Sequence, residues 1–167
     1  MKFKMKLPRD GKEFLLFMAI ISIISVNVIA PLITCFELEN FSFAVWVDVL
    51  KIMPLLWPAV VILVLVTYKP TEWLTYKIIN KDDSFNAHII VNILCAVFFL
   101  SILLTIIGTW IGSRHISLEP LTHFFYKWPR NFAISFAVEA LLAQPSARFV
   151  MHKYHEHLDN KGHLLKD

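Results

Sequence analysis

Glycine is scarce in this chain, with four residues in 167. That leaves no Gly-rich loop to cradle a phosphate, and neither a His-Glu-x-x-His pair nor a nucleophile elbow is present. Cysteine is scarcer still. Cys35 falls at the outer end of the first apolar run and Cys95 within the third, depths too different for a disulfide, so both read as packing residues. A membrane hydrolase would bring several acidic or histidine side chains to one depth, whereas the apolar runs hold a lone glutamate. The chain is therefore not read as an enzyme, and no pattern in it calls for a cofactor.

Charge is the other absence. Residues 14–36, 52–68 and 89–113 contain no Asp, Glu, Lys or Arg, and residues 131–147 contain only Glu139. Each run is 17 to 25 residues long, and a bilayer core about 30 Å thick takes roughly 17–25 residues of apolar helix. In lipid the backbone must satisfy its own hydrogen bonds, so the runs are expected to be helices. With 57% apolar residues, too little polar chain remains to cover four such segments in water. The expected fold is an all-α polytopic membrane protein with four spans. The first run is too long for a signal-peptide core, and Val28-Ile29-Ala30 is followed by Pro31, so an uncleaved anchor is expected.

Lys and Arg placement orients the helices. The lead, the middle connection and the tail hold 12 basic residues, against four in the two opposite loops (Lys51, Arg114, Lys127 and Arg130). Both termini are expected in the cytoplasm. The net charge of +3 suits anionic headgroups and needs no nucleic acid.

Prolines punctuate the pattern at a shared spacing. Pro54 and Pro129 open the second run of each half, and Pro70 and Pro145 close it, both pairs 75 residues apart. Each closing proline precedes a hydroxyl residue, Thr71 or Ser146. The division this implies is a first hairpin unit at 1–80, a linker at 81–86, a second hairpin at 87–157 and a flexible tail at 158–167. Two-span units face the same way, so the repeat is parallel. Pro70 and Pro145 could serve as hinges, with helix termination the simpler reading. The segments at 40–51 and 115–128 carry aromatic and apolar residues that suit the interface.

Lys12-Glu13-Phe14-Leu15-Leu16-Phe17, Arg130-Asn131-Phe132 and Ala143-Gln144-Pro145-Ser146-Ala147-Arg148 together resemble a bacterial membrane family catalogued as domain of unknown function 2798. Its members carry one or two such helix pairs, and the likeness extends over about residues 11–152. Lys69-Pro70-Thr71-Glu72 in the first unit departs from the second unit's Gln144-Pro145-Ser146-Ala147. The resemblance implies a fold and a compartment, the bacterial plasma membrane, and no activity. The plan is also similar to small drug-efflux proteins made of two transmembrane pairs, although their ionisable motif in helix one is absent here.

Glu139 is the sharpest candidate for chemistry. A carboxyl group at mid-membrane costs about 2.5–3.5 kcal/mol on insertion scales, so it faces the bundle or a wet cavity. Asn131, Ser135 and Glu139 recur at spacing four and would share a helix face. Such a face could exchange a proton for a cationic substrate, or simply bond to a neighbouring helix. Asn92 and Gln144 are expected at similar depth and able to hydrogen-bond, and Asn27 is a further polar group in helix one. Ala133, Ala137 and Ala140, with Gln144 and Ala147 beyond, form a small-residue face for close helix approach. His152, His155 and His157 with Glu156 are the only metal-like cluster; without a nearby cysteine they read as solvated tail residues and no metal is assigned.

Two functions fit these residues. One is a small proton-coupled transporter or efflux protein for a cationic or lipophilic small molecule, working as a homodimer. The other is an accessory or regulatory subunit that docks onto the helices of a partner membrane protein.

Overall fold

The computed structural model describes residues 9–80 and 82–164. The basic residues Lys2, Lys4, Lys6, Lys81 and Lys166 lie outside the described residues. Helices follow one another as α1 (Gly11–Glu37), α2 (Phe43–Ile78), α3 (Phe85–Ser113), the single turn α4 (Glu119–Thr122) and α5 (Phe124–Val138). A π-helical turn, Glu139–Ala143, then leads into α6 (Gln144–Leu164). The described residues are 88% helical without a strand, so the chain is all-α. Gly11–Glu37, Phe43–Ile78 and Asn86–Ser113 are each long and apolar enough to cross a membrane. The fourth expected span is distributed over α5, the π turn and the start of α6, and none of these alone meets that length and hydropathy.

Local chemistry sets several of the ends. Asp10 caps α1, its Oδ1 accepting the Glu13 N–H at 2.8 Å, while Glu13 Oε2 reaches back to the Arg9 N–H at 2.6 Å. This reciprocal arrangement satisfies donors that a helix start leaves unpaired. Ser84 caps α3 by accepting from the Ala87 N–H.

The prolines do not end helices as the hydropathy pattern suggested. Pro54, Pro58 and Pro70 all lie inside α2, and Pro129 lies inside α5. The interfacial segment before Pro54 and the aromatic connector after Pro70 are continuous with the span. A proline in a helix interior costs about 3 kcal/mol, and packing outweighs it here. Val45, Val49 and Met53 are buried before Pro54 and Leu56 after it, and Leu63, Thr67, Thr71 and Thr75 run through Pro70 at spacing four. Stopping the helix at either proline would leave part of that stripe unpacked. At 36 residues, α2 is about 54 Å long, well beyond a bilayer core. The tail, expected to fray from residue 158, is helical to Leu164.

The chain forms two compact units, Val26–Val138 and Met1–Ser25 with Glu139–Asp167. These do not coincide with a division at 81–86. In the first, Val26 and Cys35 pack with the buried N-terminal residues of α2. Cys35 and Cys95 are both free and buried. A polar seam joins α3 to α5: the Asn131 Nδ2 donates to Thr105 Oγ1 at 3.2 Å and the Trp128 indole donates to Ser101 Oγ at 2.9 Å. Phe124, Trp128, Phe132 and Phe136 form a column of ring contacts along α5, and Phe98 of α3 meets it edge-on at Trp128. At the end of this unit beyond the seam, Lys127 bridges Glu119 (2.7 Å) and Glu37 (3.7 Å), and Arg130 donates to the Phe36 carbonyl.

Candidate functional site

The second unit contains Glu139, the one acidic residue of the 131–147 run. Along α1, Glu13, Phe17, Ile21 and Ser25 repeat every four residues and so share one face. Opposite them stand His155, Met151, Ala147 and Ala143, also four apart, followed by Glu139. Phe17, Ile21, Ala143, Ala147 and Met151 form one buried cluster. Ala143 and Ala147 are fully buried, and their small side chains let the two backbones approach closely.

A hydrogen bond closes each end of this apolar seam. At one end the Ser25 hydroxyl donates to Glu139 Oε2. At the other His155 Nε2 lies 2.8 Å from Glu13 Oε2, with His155 at 0% and Glu13 at 9% exposure. Arg9 and Asp159 add a half-exposed ion pair at 3.3 Å beyond it. The seam is thus apolar in the middle and polar at both ends, with opposed α1 and α6 held in one register.

Glu139 stands on irregular backbone. It is the first residue of the π turn, and Pro145 is the second residue of α6. Pro145 has no N–H, and its ring would collide with the Leu141 carbonyl in a regular α-helix. The widened turn just upstream relieves that clash, which is why a π turn occurs here. Pro145 therefore neither terminates the helix nor needs to act as a hinge: it sets the local phase between Glu139 and α6. Restoring a regular helix would rotate one side against the other by about 100°. Pro145→Ala is accordingly expected to separate Ser25 from Glu139. In a background free of native cysteines, Ser25→Cys with Glu139→Cys should form a disulfide. Adding Pro145→Ala should suppress it, and undiminished cross-linking would show that the proline does not set the turn.

The other expected site residues are dispersed. Asn131 is 3% exposed, its amide donates to Thr105, and its Oδ1 is buried without a hydrogen-bond partner among the described residues. Glu139 follows directly on the regular helix α5 and is bonded to Ser25. Ser135, Gln144 and Asn27 are half-buried. Asn92 is exposed, and its Nδ2 reaches Thr75 Oγ1 at 3.4 Å. The alanine face divides too, since Ala147 packs against α1 whereas Ala133 and Ala137 are exposed.

Sequence reasoning missed two partners. Ser25 carries no sequence cue of its own, because a helical serine can bond to its own backbone. His155 had been read as a solvated tail residue, but it is buried against Glu13, 142 residues away in sequence. Asp10-x-x-Glu13 carries a capping signature that marks Glu13 as structurally engaged, yet nothing local announces the histidine. No protein-family model, curated protein or solved structure matches this chain.

Proposed function

We propose that this chain is a small integral membrane protein of the bacterial plasma membrane that exchanges protons for a cationic or lipophilic small molecule, with Glu139 as the proton-carrying group. In this reading the α5–π–α6 segment is the fourth span, both termini are cytoplasmic, and a homodimer encloses the path. The observation that carries it is the setting of Glu139: an acidic side chain on a π turn, engaged by one hydroxyl at the end of a seam whose middle is apolar. Ionisable groups at membrane depth mark ion and proton pathways, and π turns recur at functional sites. A proton or a cation competing for the same carboxylate would couple their movements.

Transport requires position 139 to meet water from each side in turn. A Glu139→Cys variant lacking Cys35 and Cys95 should react with an impermeant maleimide in both right-side-out and inside-out vesicles. Reaction from neither side would remove the transport reading.

The second reading, an accessory subunit, draws support from Ala133 and Ala137. They are exposed and one turn apart on α5, so a partner helix could approach there. Such a subunit would tolerate Glu139→Gln and lose its partner on Ala137→Leu.

A further inference from the structure

The Val26–Val138 unit carries an open groove of about 430 Å³, lined by Leu55, Ile107, Trp110, Ile111, Arg114 and Ile116. Its volume lies within the range typical of ligand clefts. Five walls are apolar and one is a cation. Leu55 and Ile116 are 59% and 76% exposed, so the groove is continuous with the apolar outer surface of the unit.

Arg114 is fixed at the mouth by backbone chemistry. It is the C-cap of α3 in the left-handed conformation (φ 53°), its N–H bonded to the Ile111 carbonyl. The Trp110 indole donates to the Ser117 carbonyl at 2.9 Å and ties down the chain that follows. The Arg114 side chain has no hydrogen bond or ion pair among the described residues. It also directly follows Asn86–Ser113, a helix apolar and long enough to span, which sets it at headgroup depth. The facing helix agrees in level, because Leu55 lies one turn inside Lys51. That lysine is already paired with Asp48 at 2.8 Å. Arg114 is left as the uncompensated cation above an apolar furrow.

The geometry points to a binding site for an anionic diacyl phospholipid, with an acyl chain along Leu55, Ile107 and Ile111 and the phosphate on Arg114. This rests on the membrane part of the proposed function and not on transport. A guanidinium presents several donors to phosphate oxygens, and exposed Leu55 and Ile116 leave the furrow open to the apolar outer surface. A soluble phosphate would gain nothing from the apolar walls.

Native mass spectrometry of the full chain released from micelles tests this, with phosphatidylglycerol and phosphatidylcholine of identical chains as probes. Wild type should retain phosphatidylglycerol about fivefold better, the scale of one basic residue meeting an anionic headgroup. Arg114→Gln should abolish the preference and Arg114→Lys should keep it. Ile107→Trp, which fills the furrow, should lower retention of both lipids. Equal retention of the two lipids by wild type, or an unchanged preference in Arg114→Gln, would overturn the site. Retention of oleate without phosphatidylglycerol would overturn the diacyl assignment. Carbonate extraction keeps the two claims apart: a chain stripped from membranes refutes the membrane reading, whereas an integral chain without lipid preference refutes only the groove.

Discussion

Glu139→Gln is expected to reduce proton-coupled exchange to the level of protein-free vesicles while leaving the fold intact. The substitution is nearly isosteric. The Gln carbonyl oxygen can accept the Ser25 hydroxyl as the carboxylate does, so the seam keeps its closing hydrogen bond. What disappears is the only group in the 131–147 run able to bind and release a proton. Stability should change little, or rise, because an ionisable group in an apolar setting is exchanged for a neutral one. The measurement is the internal pH change in proteoliposomes on addition of a lipophilic cation, paired with a melting curve of each protein in micelles. A Gln variant that melts normally yet still exchanges protons would make Glu139 a structural residue.

Glu13→Ala is expected to be the most destabilising single substitution in the unit formed by Met1–Ser25 and Glu139–Asp167. Glu13 Oε2 serves both the Arg9 N–H and His155. Truncation deprives a fully buried imidazole of this partner and weakens the start of α1. Loss of a buried hydrogen-bonding partner costs about 1–3 kcal/mol, and more where the partner is charged; a cap contributes about 1 kcal/mol. The combined loss should be about 3 kcal/mol. Glu13→Gln, whose amide oxygen can still accept, should cost about a third as much. The neighbouring Arg9–Asp159 pair is half-exposed, so solvent screening leaves it a small contribution. Thermal or denaturant unfolding in micelles ranks the three. If Arg9→Ala proved as harmful as Glu13→Ala, the buried pair would not be the fastener of this unit.

The helical class and the three longest apolar helices were legible because composition and charge-free runs are strong, additive signals. Helix ends were not, because proline is a local cue and the buried stripe of α2 is a tertiary one. The buried residues from Val45 to Thr75 recur at spacings of three, four and seven across three prolines, and the packing they secure decides the outcome. The π turn was invisible for the opposite reason: one proline changes the phase of the helix by a residue, so the faces on the two sides of Glu139–Ala143 no longer follow one spacing. Long-range partners are the least legible of all. Ser25 and Glu139, or Glu13 and His155, meet only because α1 and α6 lie antiparallel, and no spacing within either helix encodes that pairing. Ala147 came closest, since as part of a small-residue face it announced a tight helix contact without naming the neighbour, whereas Ala143 lay outside that face.

The central claim is that a carboxylate at position 139 exchanges a proton for a cation. It is tested most directly by adding lipophilic cations to the purified protein in weakly buffered micelles and following cation binding and solution pH together. The account predicts that a proton is released for each cation bound, and that release weakens below the pH at which bound protons outcompete the cation. Cation binding without proton release, or no binding across the panel by a folded protein, would contradict it.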